Sequence, residues 1–516
     1  MKKSGVLSLL LIVVMIVALL AACSSGQNAG GGSDGSVSAP RETGSGEPSA
    51  AADETARDLE PYEITMAMPV FGAIPADMDE VAAEISKIAK AKINATVNIL
   101  PISIGAWQQQ MNLMMSGSEK LDLAFVFGQG YASQVASGKL LQLDELLAKY
   151  GQGIVNAVGP DFLEAAAIEG KIYGVPTLKD YAFNSGFIMR KDLAEKYGID
   201  MSSIKTLDDV EKVLQTIKDN EPGMTPLAAG LQTPLHGNVT YDDLGDGYGV
   251  LPGFDNGLQV VNYYETDEYA DFVKRMRRWF QAGYISKDAA TSQVPAAEQV
   301  KAGKAAGYLA LMKPGFEQQE ARITGTEMVS AVLTPAYSTT LKITTALWTI
   351  AHHSENPERA MMFLNLMYTD KDIVNLLLWG IEGKHYVKVS DNVIDYPPGV
   401  DAKNVGYVTP GNWIIGNAFL GYTFVNEDPD LWVKMRQFNE QAIKSKALGF
   451  AYNPEPVMNE LTALQNVMDQ YKKVLETGTV DPDEKLLEFI SKLKAAGIDK
   501  VIAEKQSQLD EWAANK

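Results

Sequence analysis

The single cysteine among 516 residues, Cys23, closes an apolar run from Val6 to Ala22, and this constrains the fold more than any other feature. A chain with one cysteine has no disulfide framework and no zinc centre built from cysteines, so its fold must rest on a hydrophobic core. Hydrophobic residues make up 46% of the chain, enough to build that core. The length exceeds what one core usually serves, which predicts two lobes or domains.

The N-terminal segment reads as targeting. Lys2 and Lys3 precede the apolar run, matching the charged and hydrophobic regions of a secretory signal. The run ends in Leu20-Ala21-Ala22-Cys23, which resembles the lipobox of bacterial lipoproteins, where the cysteine is acylated and becomes the new N-terminus. This implies a signal peptide over 1–22 and a lipid anchor on Cys23. An uncleaved membrane helix is the competing reading, because the run is just long enough to span a thin bilayer. From Ser24 to Asp58, Val37 is the only aliphatic residue larger than alanine and aromatic residues are absent. Residues 23–58 are therefore expected to be a lipidated cysteine and a disordered Gly/Ser-rich tether, with a reach of roughly 30 Å. A net charge of −20 argues against nucleic acid and against a basic lipid-binding surface. Membrane contact then falls to the acyl anchor, which holds stably with two or more chains.

Order is expected from about Tyr62. Residues 64–68 alternate like a strand, and Asp77 with Glu80 can cap a helix whose apolar face repeats at Met78, Val81, Ile85 and Ala89. Strand, helix, strand and helix follow at 95–100, 107–115, 121–127 and 143–150. The pattern returns with strands at 171–175 and 186–189 and a helix at 206–218, where Thr206 and Asp209 stand in capping positions. Helices are predicted at 268–282, 296–302, 357–367 and 370–378, strands at 306–311 and 342–351, and almost continuous helix from 428 to the end. Such alternation implies an α/β fold with parallel sheet and helices on its faces.

Catalytic signatures are missing: there is no G-x-x-x-x-G-K-[ST] and no H-E-x-x-H. Of four histidines, His352 and His353 are adjacent and read as a solvated strand end. Paired carboxylates for glycoside cleavage remain open, since 65 acidic residues make some close pair inevitable. Asp242, Asp243, Asp246 and Asp255 suggest a calcium loop but fail the EF-hand template, because the twelfth position from Asp242 is Gly253. A solvated Gly-rich surface loop is expected there, and no cofactor is expected. Trp107, Trp348, Trp379 and Trp413 fall near element ends or in Gly-rich connections, where rings can line a cleft and cover the C–H faces of a sugar. Trp279, Trp432 and Trp512 lie within helices and are expected to pack.

Several stretches, in order, carry a resemblance: Lys120-Leu-Asp-Leu-Ala-Phe125, Gly138-Lys-Leu-Leu-Gln-Leu-Asp-Glu-Leu-Leu147, Gly170-Lys-Ile-Tyr-Gly-Val-Pro176 and Trp379-Gly-Ile-Glu-Gly-Lys-His-Tyr386. With the tail from Glu476 to Lys505, they resemble extracellular solute-binding protein family 1, the substrate-capturing lipoproteins of ABC sugar importers, in its large Gram-positive form. The resemblance implies a two-lobed, periplasmic-binding-protein-like α/β fold with a hinge, an interlobe cleft and a helix-rich C-terminal region. Hinge crossings are expected near 176–179, 338–345 and 380–386. Lobe one is then 60–177 with about 345–380, lobe two 178–340 with part of 381–427, and 428–516 a helical C-terminal region. The cleft candidates that follow are Gln129, Tyr131, Lys179, Asp180, Tyr181, Trp348, Trp379, Glu382, His385 and Tyr386, with Trp107 and Trp413 from the aromatic argument. Open α/β sheets bind ligands at the carboxyl ends of parallel strands, which agrees with this placement.

The expected function is a monomeric, non-enzymatic carbohydrate receptor, with an oligosaccharide as ligand and an importer permease as partner. A surface sensor or adhesin for sugar or peptide is the alternative, and a polysaccharide-degrading enzyme is a third reading.

Overall fold

The computed structural model describes residues 59–117, 119–255, 257–407 and 411–516; the signal peptide, Cys23 and the tether lie outside them. The first sheet grows from two apolar strands, Tyr62–Val70 and Ala95–Ser103, paired in parallel from Tyr62↔Ala95 to Val70↔Ser103. The helix Met78–Ile93 connects them and buries Val81, Ile85 and Ala89 on the sheet side, as its periodicity predicts. Leu123–Phe127 joins in parallel on the other side, and two antiparallel neighbours, Ala346–Ile350 and Gly174–Pro176, complete the five strands.

The second sheet has four strands in the order Met328–Val332, Asn184–Arg190, Ala305–Met312, Thr225–Leu227, of which only the last two pair in parallel. Both sheets are therefore mixed, where alternation alone implied parallel ones. A strand that returns from the other lobe is free of the right-handed crossover that makes neighbours parallel.

Each sheet has its own core. Ile64, Val81, Phe125, Trp348, Phe363 and Leu377 belong to one; Phe187, Val210, Phe272, Trp279, Leu464 and Phe489 to the other. Tyr407, Trp413, Ile414, Ile415, Phe419 and Leu420 pack on the first core, whereas part of 381–427 is expected from the sequence in the second lobe. The C-terminal helices Met458–Glu476 and Pro482–Ala496 bury Leu464, Leu475, Leu486 and Phe489 in the second core, so they complete that lobe instead of standing apart from it.

The chain passes between the two sheets through 177–183 and 333–345, and again near 443, where Tyr337–Ser338 pairs in parallel with Ile443–Lys444. The expected third crossing at 380–386 instead lies against the first-lobe elements. Residues 342–344, expected to extend a strand, belong to a turn of helix Thr340–Thr344 capped by Thr339, whose hydroxyl accepts the Lys342 amide; the strand starts only at Ala346.

Candidate functional site

A continuous cleft runs between the lobes. Its first cavity, of about 730 Å³, lies against the second lobe and the crossing helix; its neighbour, of about 630 Å³, reaches the first lobe. The two meet at Asp246, Tyr248, Leu341 and Gln465, which line both. The Tyr248 hydroxyl donates to Gln465 Oε1 at 2.8 Å and fixes that junction.

The first-lobe wall is the helix Gly128–Ala136, which starts directly after the strand Leu123–Phe127 and so stands at the carboxyl end of a parallel strand. Gln129 and Tyr131 face the cleft from it. The Tyr131 hydroxyl donates to the Ala166 carbonyl at 2.9 Å and accepts the Tyr173 amide at 3.1 Å, so its ring is held rigidly. The second-lobe walls are the segment 231–248, the pair Tyr263 and Tyr264, and the face of Met458–Glu476. Tyr241 and Tyr263 pack with ring centroids 4.2 Å apart. Phe450 and Tyr452 add aromatic surface to the cavity nearer the first lobe.

Two titratable groups of the larger cavity are shifted toward their neutral forms. Burial pushes the Glu476 carboxyl up, against Lys472 and the hydroxyls of Thr233 and Tyr269. Burial and the nearby Lys472 push His236 down, favouring a neutral imidazole at neutral pH. Asp242, in the wall of the cavity nearer the first lobe, is pushed up to about 6, first by burial and then by Asp243. The walls thus combine hydroxyls, amides and flat rings with charges of both signs, among them Asp469, Lys472 and Lys473, which suits a polar ligand rich in hydroxyls.

The start of the loop, Asp242 to Asp246, departs from its expected solvated state, while Asp255 is exposed as expected. Asp242 is 2% exposed, Asp242, Asp243 and Asp246 each accept the amide two residues on, and Asp246 also takes the buried Lys505 ammonium. Among the described residues no group of three or more His, Cys, Asp or Glu side chains could hold a metal ion.

Gln129 and Tyr131 are the candidates that line this cleft; the structure places the others elsewhere. Trp107 packs edge-on against Phe125 and Phe127, and Trp348 is fully buried with its indole N–H donating to the Ile414 carbonyl at 2.8 Å. Tyr181 is buried against Phe162. Each of these three rings fills the first core, and the polar atoms of Trp348 and Tyr181 find backbone carbonyls, of Ile414 and Pro176, that make their burial cheap. Lys179 and Asp180 line a separate cavity of about 70 Å³. Three lysines surround Asp180: Lys342 at 2.6 Å, Lys313 at 3.5 Å and Lys179 at 3.9 Å. Trp379 donates to the Tyr422 carbonyl, Glu382 pairs with Lys388 at 2.9 Å, and Tyr386 packs near Tyr422. His385 accepts the Ile381 amide at Nδ1, so Nε2 carries the proton and donates to Asp77 at 2.9 Å. These four residues brace a small three-stranded sheet and the turn before it. Trp413 lies half-buried on Phe71, centroids 5.1 Å apart, and Phe71 is 42% exposed just past the strand Tyr62–Val70. The pair forms an aromatic shelf at a second strand end.

Sequence reasoning missed the tyrosines at 241, 248, 263 and 264 and the whole face of the helix Met458–Glu476. The signal was present as four tyrosines with interleaved aspartates in one short Gly-rich stretch.

Known proteins share this architecture. The family model for bacterial extracellular solute-binding protein matches residues 75–373, more than half of the chain, and one described as a domain of unknown function, DUF3502, matches 446–514. A carbohydrate ABC transporter substrate-binding protein of Streptococcus pneumoniae is 29% identical over 449 residues, 86% of this chain and 90% of that one. The crystal structure of the N-glycan transport solute binding protein NgtS from S. pneumoniae superposes with a TM-score of 0.79 at 28% identity, covering 88% of this chain and 100% of that one. NgtS in complex with Man5GlcNAc, also at 28% identity and covering 89% and 99%, gives a TM-score of 0.66. With a mixed two-lobed α/β fold and that match along its length, the chain belongs to the bacterial extracellular solute-binding protein family.

Proposed function

We propose that this protein is a lipid-anchored receptor that captures an oligosaccharide outside the cell and hands it, chemically unchanged, to the permease of an ABC importer. The observation that carries this reading is the interlobe cleft. Two joined cavities lined by tyrosines, amides and hydroxyls match the amphipathic surface of a chain of pyranose rings. The relatives, a carbohydrate ABC transporter substrate-binding protein and NgtS, support it. Gln129 and Tyr131 are the proposed first-lobe contacts, and the shelf of Phe71 and Trp413 meets the sugar when the lobes close.

The described conformation is the open one in this reading. Its fit is better to the first NgtS structure than to the Man5GlcNAc complex, at the same identity, and that difference supports a sugar-dependent change of shape. Sugar that touches both lobes binds the closed state better and shifts the population toward it by that difference. Among the described residues no helix is long and apolar enough to cross a membrane. The proposed attachment is the acylated Cys23.

The test is thermal unfolding of the full chain in detergent, with and without Man5GlcNAc and a panel of plant and microbial oligosaccharides. Ligand at about one hundred times its dissociation constant stabilises the fold by roughly 2.7 kcal/mol, a shift of a few degrees. A shift with the sugar recovered intact is the expected outcome. Cleaved sugar would replace the receptor with an enzyme, and no shift with any glycan would remove the carbohydrate reading.

A further inference from the structure

The C-terminal region 446–514 matches a family description that states no function. Its longest helix, Met458–Glu476, contributes to both cavities of the cleft. The contributing positions include Leu461, Gln465, Met468, Lys472 and Glu476, spaced four, three, four and four apart, which is one face of an α-helix. From Met458 to Glu476 this face extends about 27 Å at 1.5 Å per residue. That length accommodates several sugar rings end to end. Gln465 sits at the midpoint, where the two cavities join.

The other faces have different jobs. Leu464 and Leu475 anchor the helix in the second core, while Asn466 and Gln470 point to solvent and line neither cavity. The rest of the region holds this helix in place. Tyr471 stacks on Phe489 of the next helix at 5.6 Å and 18°, and Lys500 pairs with Glu460 at 2.6 Å. The last helix, Ile498–Ala514, sends the fully buried Lys505 to Asp246 and to the Gly249 carbonyl, which pins the cleft loop beside Gln465. On the cleft face, Gln465 Nε2 donates to Asp469 Oδ1 at 2.7 Å, so amide and carboxylate are already oriented relative to each other.

We propose that the C-terminal region is the ligand-reading wall of the cleft, with helix Met458–Glu476 lying along a bound oligosaccharide and Gln465, Asp469 and Lys472 addressing successive sugar residues. This rests on the carbohydrate reading above. An amide, a carboxylate and an ammonium one turn apart supply the donors and acceptors that a run of sugar hydroxyls needs. Lys505 is a positioning residue that acts through Asp246 and the cleft loop.

The experiment compares the two polar faces of the helix by calorimetry on the full chain, with Man5GlcNAc and a panel of linear oligosaccharides as probes. Gln465→Ala, Asp469→Ala and Lys472→Met should each weaken binding about tenfold or more. Asn466→Ala and Gln470→Ala should leave it within about twofold. Gln465, Asp469, Asn466 and Gln470 are exposed in the free protein, and unchanged unfolding midpoints without sugar confirm that each variant folds. Equal affinity for both sets of variants, with the unsubstituted chain binding normally, would overturn the wall and leave the receptor standing. Failure of the unsubstituted chain to bind any probe would overturn both.

Discussion

At the first crossing one carboxylate, Asp180, faces three lysines, Lys179, Lys342 and Lys313; beside the cleft one lysine, Lys505, faces three carboxylates, Asp242, Asp243 and Asp246. Both centres are buried. Burial alone would raise Asp180, yet the three lysines outweigh it and hold the carboxyl below its usual range. At the cleft, burial raises Asp242 to about 6, and Asp243 adds to the rise that one shared lysine does not cancel. The lysines mirror this: burial pushes Lys179 down to about 7 with only Asp180 opposing, whereas three carboxylates oppose the depression of Lys505. The number of opposite charges, not the depth, sets the sign of the carboxylate shift. The two clusters also hold different joints. The first ties both early crossings to the second lobe through Lys313; the second ties the cleft loop to the last helix.

The largest expected effect comes from Lys505→Met, which strips the one cation from three carboxylates. Breaking a buried pair costs about 3–5 kcal/mol, and denaturant unfolding at neutral pH should read a loss of that size. A loss under about 1 kcal/mol would mean that Asp246 simply takes water and that the clusters are not comparable. Asp180→Asn should cost less, about 2–3 kcal/mol, because it removes charged hydrogen bonds but leaves an amide in place. Lys342 and Lys313 are 27% and 29% exposed in their side chains, so both can turn toward water once Asp180 is neutral. If Asp180→Asn cost as much as Lys505→Met, solvent access would not separate the two clusters.

Neither cluster was legible in the sequence, for the same reason that most of the cleft was not. Asp246 and Lys505 are far apart in the chain, as are Asp180 and Lys342, and spacing says nothing about pairs that the fold brings together. Local signals fared better. The Thr206 capping box forms with both of its reciprocal bonds, and the buried strand Leu123–Phe127 and the helix Met78–Ile93 follow their apolar patterns, while the strand Tyr62–Val70 forms but buries 64–70 continuously where alternation is expected. Asp77 shows where local logic stops: it stands at the helix start but makes no side-chain cap, because His385 and Lys384 claim its carboxylate. Trp107, Trp348 and Trp379 lie away from the cleft for a related reason. A ring near an element end faces the core or the cleft according to the packing of distant segments, and Trp348 found the Ile414 carbonyl. The cleft itself is assembled from stretches that include 128–133, 165–168, 231–248, 263–264, 339–345 and 450–476, which no local pattern joins.

The smallest expected effect has the opposite sign and sharpens the comparison most. Asp242 binds its proton more tightly in the folded chain, at about 6, than at its ordinary value of 3.8. Between those values the native state holds more protons than the unfolded state, so this group's contribution falls as pH rises and then stays at its unfavourable limit. Asp242→Asn removes that loss and keeps an oxygen for the Leu244 amide, which now donates to Asp242 Oδ1 at 3.0 Å. The variant and the unsubstituted chain should be similar near pH 4, and the variant should be more stable at pH 7 by on the order of 1–3 kcal/mol. Denaturant unfolding at several pH values checks it, because only the difference between the two curves is read and all other titrating groups cancel. Asp180→Asn should give the reverse trend. Asp180 is held below 3.8, so its stabilisation is present above that value and lost as the pH falls, and the variant should lose most at neutral pH and least in acid. Parallel curves for Asp242→Asn and the unsubstituted chain would place Asp242 in ordinary contact with water, and the contrast between three cations on one anion and three anions on one cation would collapse.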